Sequence, residues 1–126
     1  MDDTVKLQIW NKAKIVDGFD PDKYRQDTCG AWMIFEEYDK IDSIYGWQID
    51  HACPQSLLKQ KGFSQAEIDN PENLRAMQWE NNQSKNDDYP SYISKVTSEG
   101  NKNIKATKSL NVNNELQKKI KTLYNI

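Results

Sequence analysis

The sequence is poor in the residues that most often build metal centres. It contains a single histidine, His51, and two cysteines, Cys29 and Cys53. Neither cysteine lies in a Cys-x-x-Cys pair, so a zinc tetrad is not encoded and two free thiols are expected. Any proton transfer by an imidazole near neutral pH must use His51, because the chain offers no other histidine.

Long apolar runs are also missing. No stretch approaches the roughly 20 apolar residues of a membrane span. The acidic start of the sequence, Met1-Asp2-Asp3-Thr4, lacks the basic and then apolar pattern of a signal peptide. We therefore expect a cytoplasmic protein without a membrane partner. A chain of 126 residues, of which 37% are hydrophobic, suits one domain over residues 1–126 with a modest core.

The charges nearly balance overall but are unevenly distributed. A net charge of -2 argues mildly against a protein that coats nucleic acid. Residues 95–126 nevertheless carry seven lysines against two glutamates, so residues 1–94 hold a net charge of -7. The basic segment can contact phosphate groups, or it can be a solvated helix face with a flexible arm. Both interpretations stay open.

Apolar spacing predicts an α+β fold. Helical periodicity marks residues 4–16 and 113–124, where Asn113 or Asn114 would cap the second helix. Short strands are predicted for 31–35, 47–50 and 74–77. Residues 79–85 can form a helix of two turns.

Two further segments have distinctive composition. Ser64 to Glu67 has the spacing of a capping box, which predicts a short helix that Asn70-Pro71 closes. Residues 98–111 are dominated by Ser, Asn, Lys and Thr, which predicts a mobile linker.

The candidate catalytic and metal-binding residues lie in the middle of the sequence. Asp50 and His51 end a predicted strand, and Pro54 breaks regular structure soon after, so neighbouring side chains can converge on a cleft. Asp50 and Asn82 supply a carboxylate and an amide oxygen, hard donors that suit Mg²⁺ or Mn²⁺. Taken singly, Asp50 could instead cap a loop, and Asn82 could be a solvated helix residue.

Three segments together resemble the HNH nuclease family. They are GWQIDHACP at 46–54, DNPENL at 69–74 and WENNQSK at 79–85. The stretch DHACPQSLLK at 50–59 is similar to the HNH domain of CRISPR-guided nucleases, and the spacings Asn73 to Asn82 and Asn82 to Lys85 agree with that subgroup. The likeness covers about 45–89, and a weaker one to small stand-alone HNH endonucleases extends upstream to Asp27.

The resemblance implies a ββα-metal fold, a short β-hairpin crossed by a helix, with α-helices at both ends of the chain. Asp50 and Asn82 would hold one Mg²⁺ or Mn²⁺, and His51 would deprotonate the attacking water. Asn73 would bond backbone across the loop and fix the orientation of His51. Many family members have histidine where this chain has Asn82, so metal affinity without substrate is expected to be low.

The resemblance also implies a nucleic-acid surface. Lys85 would lie one turn beyond Asn82, near a phosphate. Further phosphate contacts are expected from Arg75, Lys59 and Lys61, with DNA as the expected partner. Duplex, single-stranded and RNA substrates all remain compatible with the motif.

The chemistry of phosphodiester hydrolysis fits these residues. A neutral imidazole, with an ordinary pKa near ~6.5, can take a proton from water at physiological pH. A divalent ion would neutralise charge on the phosphate and on the leaving 3′-oxygen. The sequence therefore predicts a one-metal endonuclease. Two alternatives are a silent nucleic-acid-binding module on the same fold, and a structural or partner-binding domain with an incidental motif.

Overall fold

The computed structural model describes residues 2–126 as an α+β arrangement, which confirms the predicted fold class. In chain order the elements are α1 (Asp3–Trp10), β1 (Tyr24–Gln26), β2 (Trp32–Ile34), β3 (Trp47–His51), α2 (Gln55–Gln60), α3 (Gln65–Ile68), β4 (Leu74–Gln78), α4 (Trp79–Lys85), β5 (Ser91–Glu99), β6 (Lys102–Asn111) and α5 (Asn114–Tyr124). The strands form three antiparallel pairs, β1–β2, β3–β4 and β5–β6. Single 3₁₀ turns cover Phe35–Glu37 and Pro71–Asn73.

The central unit is the β3–β4 pair followed at once by α4. Asp50 lies opposite Arg75 in the register. Helix α4 begins where β4 ends because the Gln78 side chain accepts a hydrogen bond from the Asn81 main-chain nitrogen at 3.0 Å and so caps the helix. Gln78 lies opposite Trp47, so α4 starts at the other end of the hairpin from His51. The helix then runs back along the hairpin, and its last residue, Lys85, reaches the main-chain oxygen of His51.

Two apolar clusters pack against the β3–β4–α4 unit and the connection between its strands. Trp10 of α1 packs on Trp47 of β3, with ring centroids 5.1 Å apart, and both are fully buried. Behind the connection between β3 and β4, Ile120 and Tyr124 of α5 pack with a cluster that includes Leu58. The Tyr124 hydroxyl also donates to the main-chain oxygen of Glu67 at 2.6 Å. Helix α5 therefore braces the connection that follows His51.

Buried polar bonds tie α4 to the β5–β6 pair. The Asn81 amide donates to the Val96 oxygen at 2.9 Å and accepts from the main-chain nitrogens of Lys95 and Val96. The same amide donates to the buried Asp27 carboxylate at 3.1 Å. Since unmet buried polar groups are costly, these bonds fix the position of α4 as firmly as apolar packing would.

Several predicted elements are confirmed. The strands and the helix at 79–85 lie where they were expected, and Ser64 caps α3 with the full capping box. Asn113 caps α5 by accepting from the Leu116 nitrogen at 2.8 Å. Both cysteines are free and buried. Burial raises the pKa of the Cys29 thiol to about 12 and that of Cys53 to about 11, so both are neutral thiols near pH 7.

The first helix is shorter than the predicted span 4–16, and that prediction is wrong beyond residue 10. The Arg25 guanidinium donates to the main-chain oxygens of Asn11 and Ala13, each at 3.1 Å. These bonds turn the chain toward β1 before a further helical turn can form. A tertiary contact therefore overrides the helical spacing of the apolar residues.

The mobile linker predicted at 98–111 is also wrong, because residues 102–111 form β6. The strand is polar since it lies at an edge, where most of its side chains face solvent and its main chain pairs with β5. The Asn103 amide adds a specific anchor, donating to the Trp32 oxygen at 2.9 Å.

Across residues 2–126, no helix has both the length and the apolar character that crossing a membrane requires.

Candidate active site

A cleft of about 300 Å³ lies between the end of β3, the start of α2 and the exposed side of α4. Its walls include Asp50, His51 and Asn82, which are the predicted base and the two predicted metal ligands. The sequence separates Asn82 from His51 by a strand, two helices and a loop, and the β3–β4–α4 unit brings them to one surface. Larger cavities occur elsewhere, but they contain neither His51 nor Asn82.

The imidazole of His51 is held from outside this cleft. Its Nε2 lies 2.7 Å from Oδ1 of Asp69, at the end of α3, and Asp69 does not line the cleft. The Gln65 amide donates to the same carboxylate oxygen at 3.0 Å. Burial opposes ionisation of Asp69, but the hydrogen bonds from His51 and Gln65 outweigh it and lower the pKa of this carboxyl. Asp69 is therefore ionised at neutral pH.

Asn73 bonds backbone across the loop, as the resemblance implied. Its Oδ1 accepts from the Cys53 nitrogen at 2.8 Å, and its Nδ2 donates to the oxygens of Cys53 and Ile68 at 3.1 and 3.2 Å. The main-chain oxygen of Asn73 also accepts from the Ala52 nitrogen at 2.8 Å. These bonds fix both residues that follow His51. Asn73 itself is fully buried, so its effect on His51 passes through the main chain.

The carboxylate of Asp50 contacts two buried cationic groups, those of Arg75 and Lys85. Its Oδ2 accepts from Nε of Arg75 at 2.9 Å, and the Lys85 ammonium lies 3.3 Å from its Oδ1. Lys85 has no exposed surface and also donates to the main-chain oxygen of His51 at 3.1 Å. Burial lowers the pKa of Lys85, while Asp50 opposes the shift. The guanidinium of Arg75 stacks 5.6 Å from the ring centre of Tyr92.

The four predicted phosphate-binding residues therefore separate into two groups. Lys59 and Lys61, at the end of α2, are exposed and can reach a ligand. Lys85 is fully buried and Arg75 lines a larger cavity elsewhere, and both cations contact Asp50. Their position assigns them to orientation of the Asp50 carboxylate, a contact that the sequence spacing did not suggest.

The donors at the cleft fit a hard divalent ion. Asp50 offers a carboxylate whose direction is fixed by its cations, and each of its oxygens keeps a further lone pair. Asn82 donates its amide nitrogen to Gln48 at 3.0 Å, which leaves its carbonyl oxygen as an acceptor. Within residues 2–126 there is no group of three or more His, Cys, Asp and Glu side chains suited to a metal. An ion held by these two oxygens would keep several of its waters, as Mg²⁺ does.

Sequence reasoning missed Asp69 as a partner of His51, although it lies within the motif. No local signal could have found it, because His51 precedes α2 and Asp69 follows α3, 18 positions later. Gln48, the partner of Asn82, was missed because the two lie 34 positions apart, on β3 and α4.

Comparisons with family models, with curated proteins and with solved structures returned no match to this chain.

Proposed function

We propose that the protein is a metal-dependent endonuclease that hydrolyses phosphodiester bonds, with β3, β4 and α4 as a ββα-metal core of HNH type. The observation that carries the proposal is the convergence of Asp50, His51 and Asn82 on one cleft. A histidine beside two oxygen donors can supply the general base and the metal site with which a phosphodiester is hydrolysed.

Each side chain has a distinct role in this proposal. His51 accepts a proton from the attacking water. Asp50 and Asn82 hold Mg²⁺ or Mn²⁺, and the bound ion supplies charge stabilisation to the phosphate and the leaving oxygen. Asn73 fixes the loop after His51, and Lys85 and Arg75 fix the carboxylate of Asp50. Lys59 and Lys61 supply phosphate contacts beside the cleft, with DNA as the proposed substrate.

Metal dependence provides the direct test. Incubation with supercoiled plasmid should give nicked or linear DNA in the presence of Mg²⁺ or Mn²⁺, because the proposed ligands are hard oxygens. Zn²⁺ should support little cleavage, since it prefers nitrogen and sulfur ligands. EDTA should abolish the reaction. Binding to the plasmid without cleavage under all metals would instead support the silent nucleic-acid-binding module, and absence of both would contradict either function.

The β5–β6 pair gives a second prediction, on binding. Lys108 of β6 is exposed and lies opposite Ser94, whereas Lys105 already pairs with the Glu80 carboxylate of α4. Lys102 lies opposite Glu99 near the tip of the pair. Neutralising Lys108 with glutamine should weaken DNA binding and reduce the slope of log K against log salt by about one unit, the effect of one phosphate that is no longer neutralised.

The matched control for this prediction is Lys102→Gln. It removes the same charge from the same strand, so it reports the effect of net charge alone. Fluorescence anisotropy with labelled DNA at several salt concentrations gives the slope for each variant. An equal change in the control and in Lys108→Gln would show that Lys108 makes no specific phosphate contact.

A further inference from the structure

We infer that Asp69 is the positioning residue of His51, which holds the imidazole in the tautomer protonated on Nε2 and so leaves Nδ1 as the basic nitrogen. This inference rests on the proposed function, because it assigns a role within the same site. Its evidence is the 2.7 Å contact between Nε2 of His51 and Oδ1 of Asp69.

The donor in this contact follows from the chemistry of the two groups. A carboxylate that is ionised has no proton to donate, so it only accepts hydrogen bonds. The Asp69 carboxyl is ionised near neutral pH, because hydrogen bonds from His51 and Gln65 outweigh the effect of burial on its pKa. Nε2 must therefore carry the proton. In a neutral ring, the other nitrogen then bears the lone pair.

The placement of the pair makes this tautomer useful. His51 borders the cleft and Asp69 does not, so the carboxylate that holds the ring lies outside the cleft. No hydrogen bond within residues 2–126 uses Nδ1, so the protein leaves its lone pair unengaged. A carboxylate on the far nitrogen also stabilises the imidazolium that forms when the ring accepts a proton, as in other carboxylate–histidine pairs.

The contact between His51 and Asp69 contributes little to the stability of the fold. The Asp69 side chain is 38% exposed, and that of His51 is 15% exposed. Ion pairs with a partner this exposed contribute little to stability. Gln65 holds the same carboxylate oxygen from the other side, at 3.0 Å. Substitution at Asp69 is therefore expected to leave the protein folded, which makes it a clean probe of His51.

The tautomer can be read without any substrate. His51 is the only histidine in the chain, so every imidazole signal in a ¹⁵N-labelled protein belongs to it. Couplings between ring nitrogens and carbon-bound protons, recorded at alkaline pH where an imidazole is neutral, show which nitrogen bears the proton. We expect Nε2–H to dominate in the wild-type protein and in Asp69→Asn, whose amide oxygen still accepts. Asp69→Ala should shift the ring toward a mixture of tautomers.

Kinetics with plasmid DNA provide the second arm. Asp69→Ala should lower kcat by roughly tenfold to hundredfold with little change in KM, the usual effect of removing the partner of a functional histidine. Asp69→Asn should retain more activity than Asp69→Ala. Gln65→Ala is the control, because it removes a hydrogen bond to the carboxylate but keeps the carboxylate, and it should change kcat less than threefold.

The two arms separate failure of this inference from failure of the proposed function. A wild-type ring protonated on Nδ1, or a tautomer unchanged in Asp69→Ala, overturns the inference whether or not the protein cleaves DNA. Equal kcat values for Asp69→Ala and the wild type overturn it as well. A wild-type protein that holds the Nε2–H tautomer and cleaves no nucleic acid overturns the proposed function instead.

Discussion

Substitution of His51 by alanine is expected to lower the rate of DNA cleavage by about 10²- to 10⁴-fold, the usual contribution of a general base. No other histidine can replace it, because the chain contains only one. The loss should appear in kcat, since the imidazole acts on the attacking water and makes no proposed contact that holds the DNA. Single-turnover cleavage of a labelled duplex, with Mg²⁺ saturating, measures the effect directly.

This variant should remain folded. The side-chain hydrogen bond of His51 is made to the partly exposed Asp69, and the bonds of the Asn73 side chain to the following loop do not use the imidazole. A thermal melt close to that of the wild type, together with unchanged DNA affinity, would attribute the loss to chemistry. Cleavage near the wild-type rate with the same metal dependence would remove His51 from the mechanism.

The second large effect is on stability. Asp50→Ala is expected to destabilise the protein by about 3–5 kcal/mol, the typical result of leaving buried charge without its partner. Asp50 is the carboxylate that contacts both Lys85 and Arg75, and Lys85 has no exposed surface. Removing it leaves two cations facing one another in a poorly solvated interior. Urea denaturation followed by tryptophan fluorescence gives the free energy of unfolding.

Two matched variants sharpen this measurement. Asp87→Ala removes an exposed carboxylate that lines the same cleft, and it should change the free energy of unfolding by less than about 0.5 kcal/mol. Lys85→Met added to Asp50→Ala removes one of the two uncompensated cations and should recover part of the loss. If Asp50→Ala is as stable as Asp87→Ala, the buried cations do not depend on this carboxylate.

The structural role of Asp50 changes how a decrease in activity is interpreted. Asp50→Ala is expected to impair both ion binding and folding, so its kinetics alone would not identify a metal ligand. Asn82→Ala is a better ligand test, because Asn82 is only half-buried and its amide bonds Gln48 near the surface. A fall in activity that higher Mn²⁺ concentration restores would indicate that a metal ligand has been removed.

The resemblance to HNH nucleases grouped Asp50, His51 and Asn82 in one site, and all three border the cleft. Asp50 and His51 end a strand, and Asn82 lies in the helix that directly follows the next strand, so the β3–β4–α4 unit leaves few ways to place them. The direction of each side chain was harder to predict. Asn82 and Lys85 lie three positions apart on α4, on nearly the same face, yet one borders the cleft and the other is enclosed.

The β5–β6 pair shows that amino-acid composition alone does not distinguish an edge strand from a linker. Residues 98–111 have the polar content of a linker, but a strand at an edge needs few apolar side chains, because its main-chain hydrogen bonds and a few anchors hold it. Asn103 is one such anchor, through its bonds to Trp32. Long-range polar contacts of this kind leave no local periodicity in the sequence.

The packing of α5 has a consequence for synthesis. Residues 47–87 include every residue that lines the cleft, and they leave the ribosome before α5 does. Ile120 and Tyr124 of α5 nevertheless pack against the inner apolar side of this segment. Until α5 has been synthesised, Leu58 and the residues packed with it stay accessible to solvent. The main-chain oxygen of Glu67 also lacks its hydrogen bond from the Tyr124 hydroxyl. We therefore expect the loop after His51 to reach its final conformation only after α5 has packed. In a ribosome-bound chain that still lacks α5, the cleft should not be fully formed.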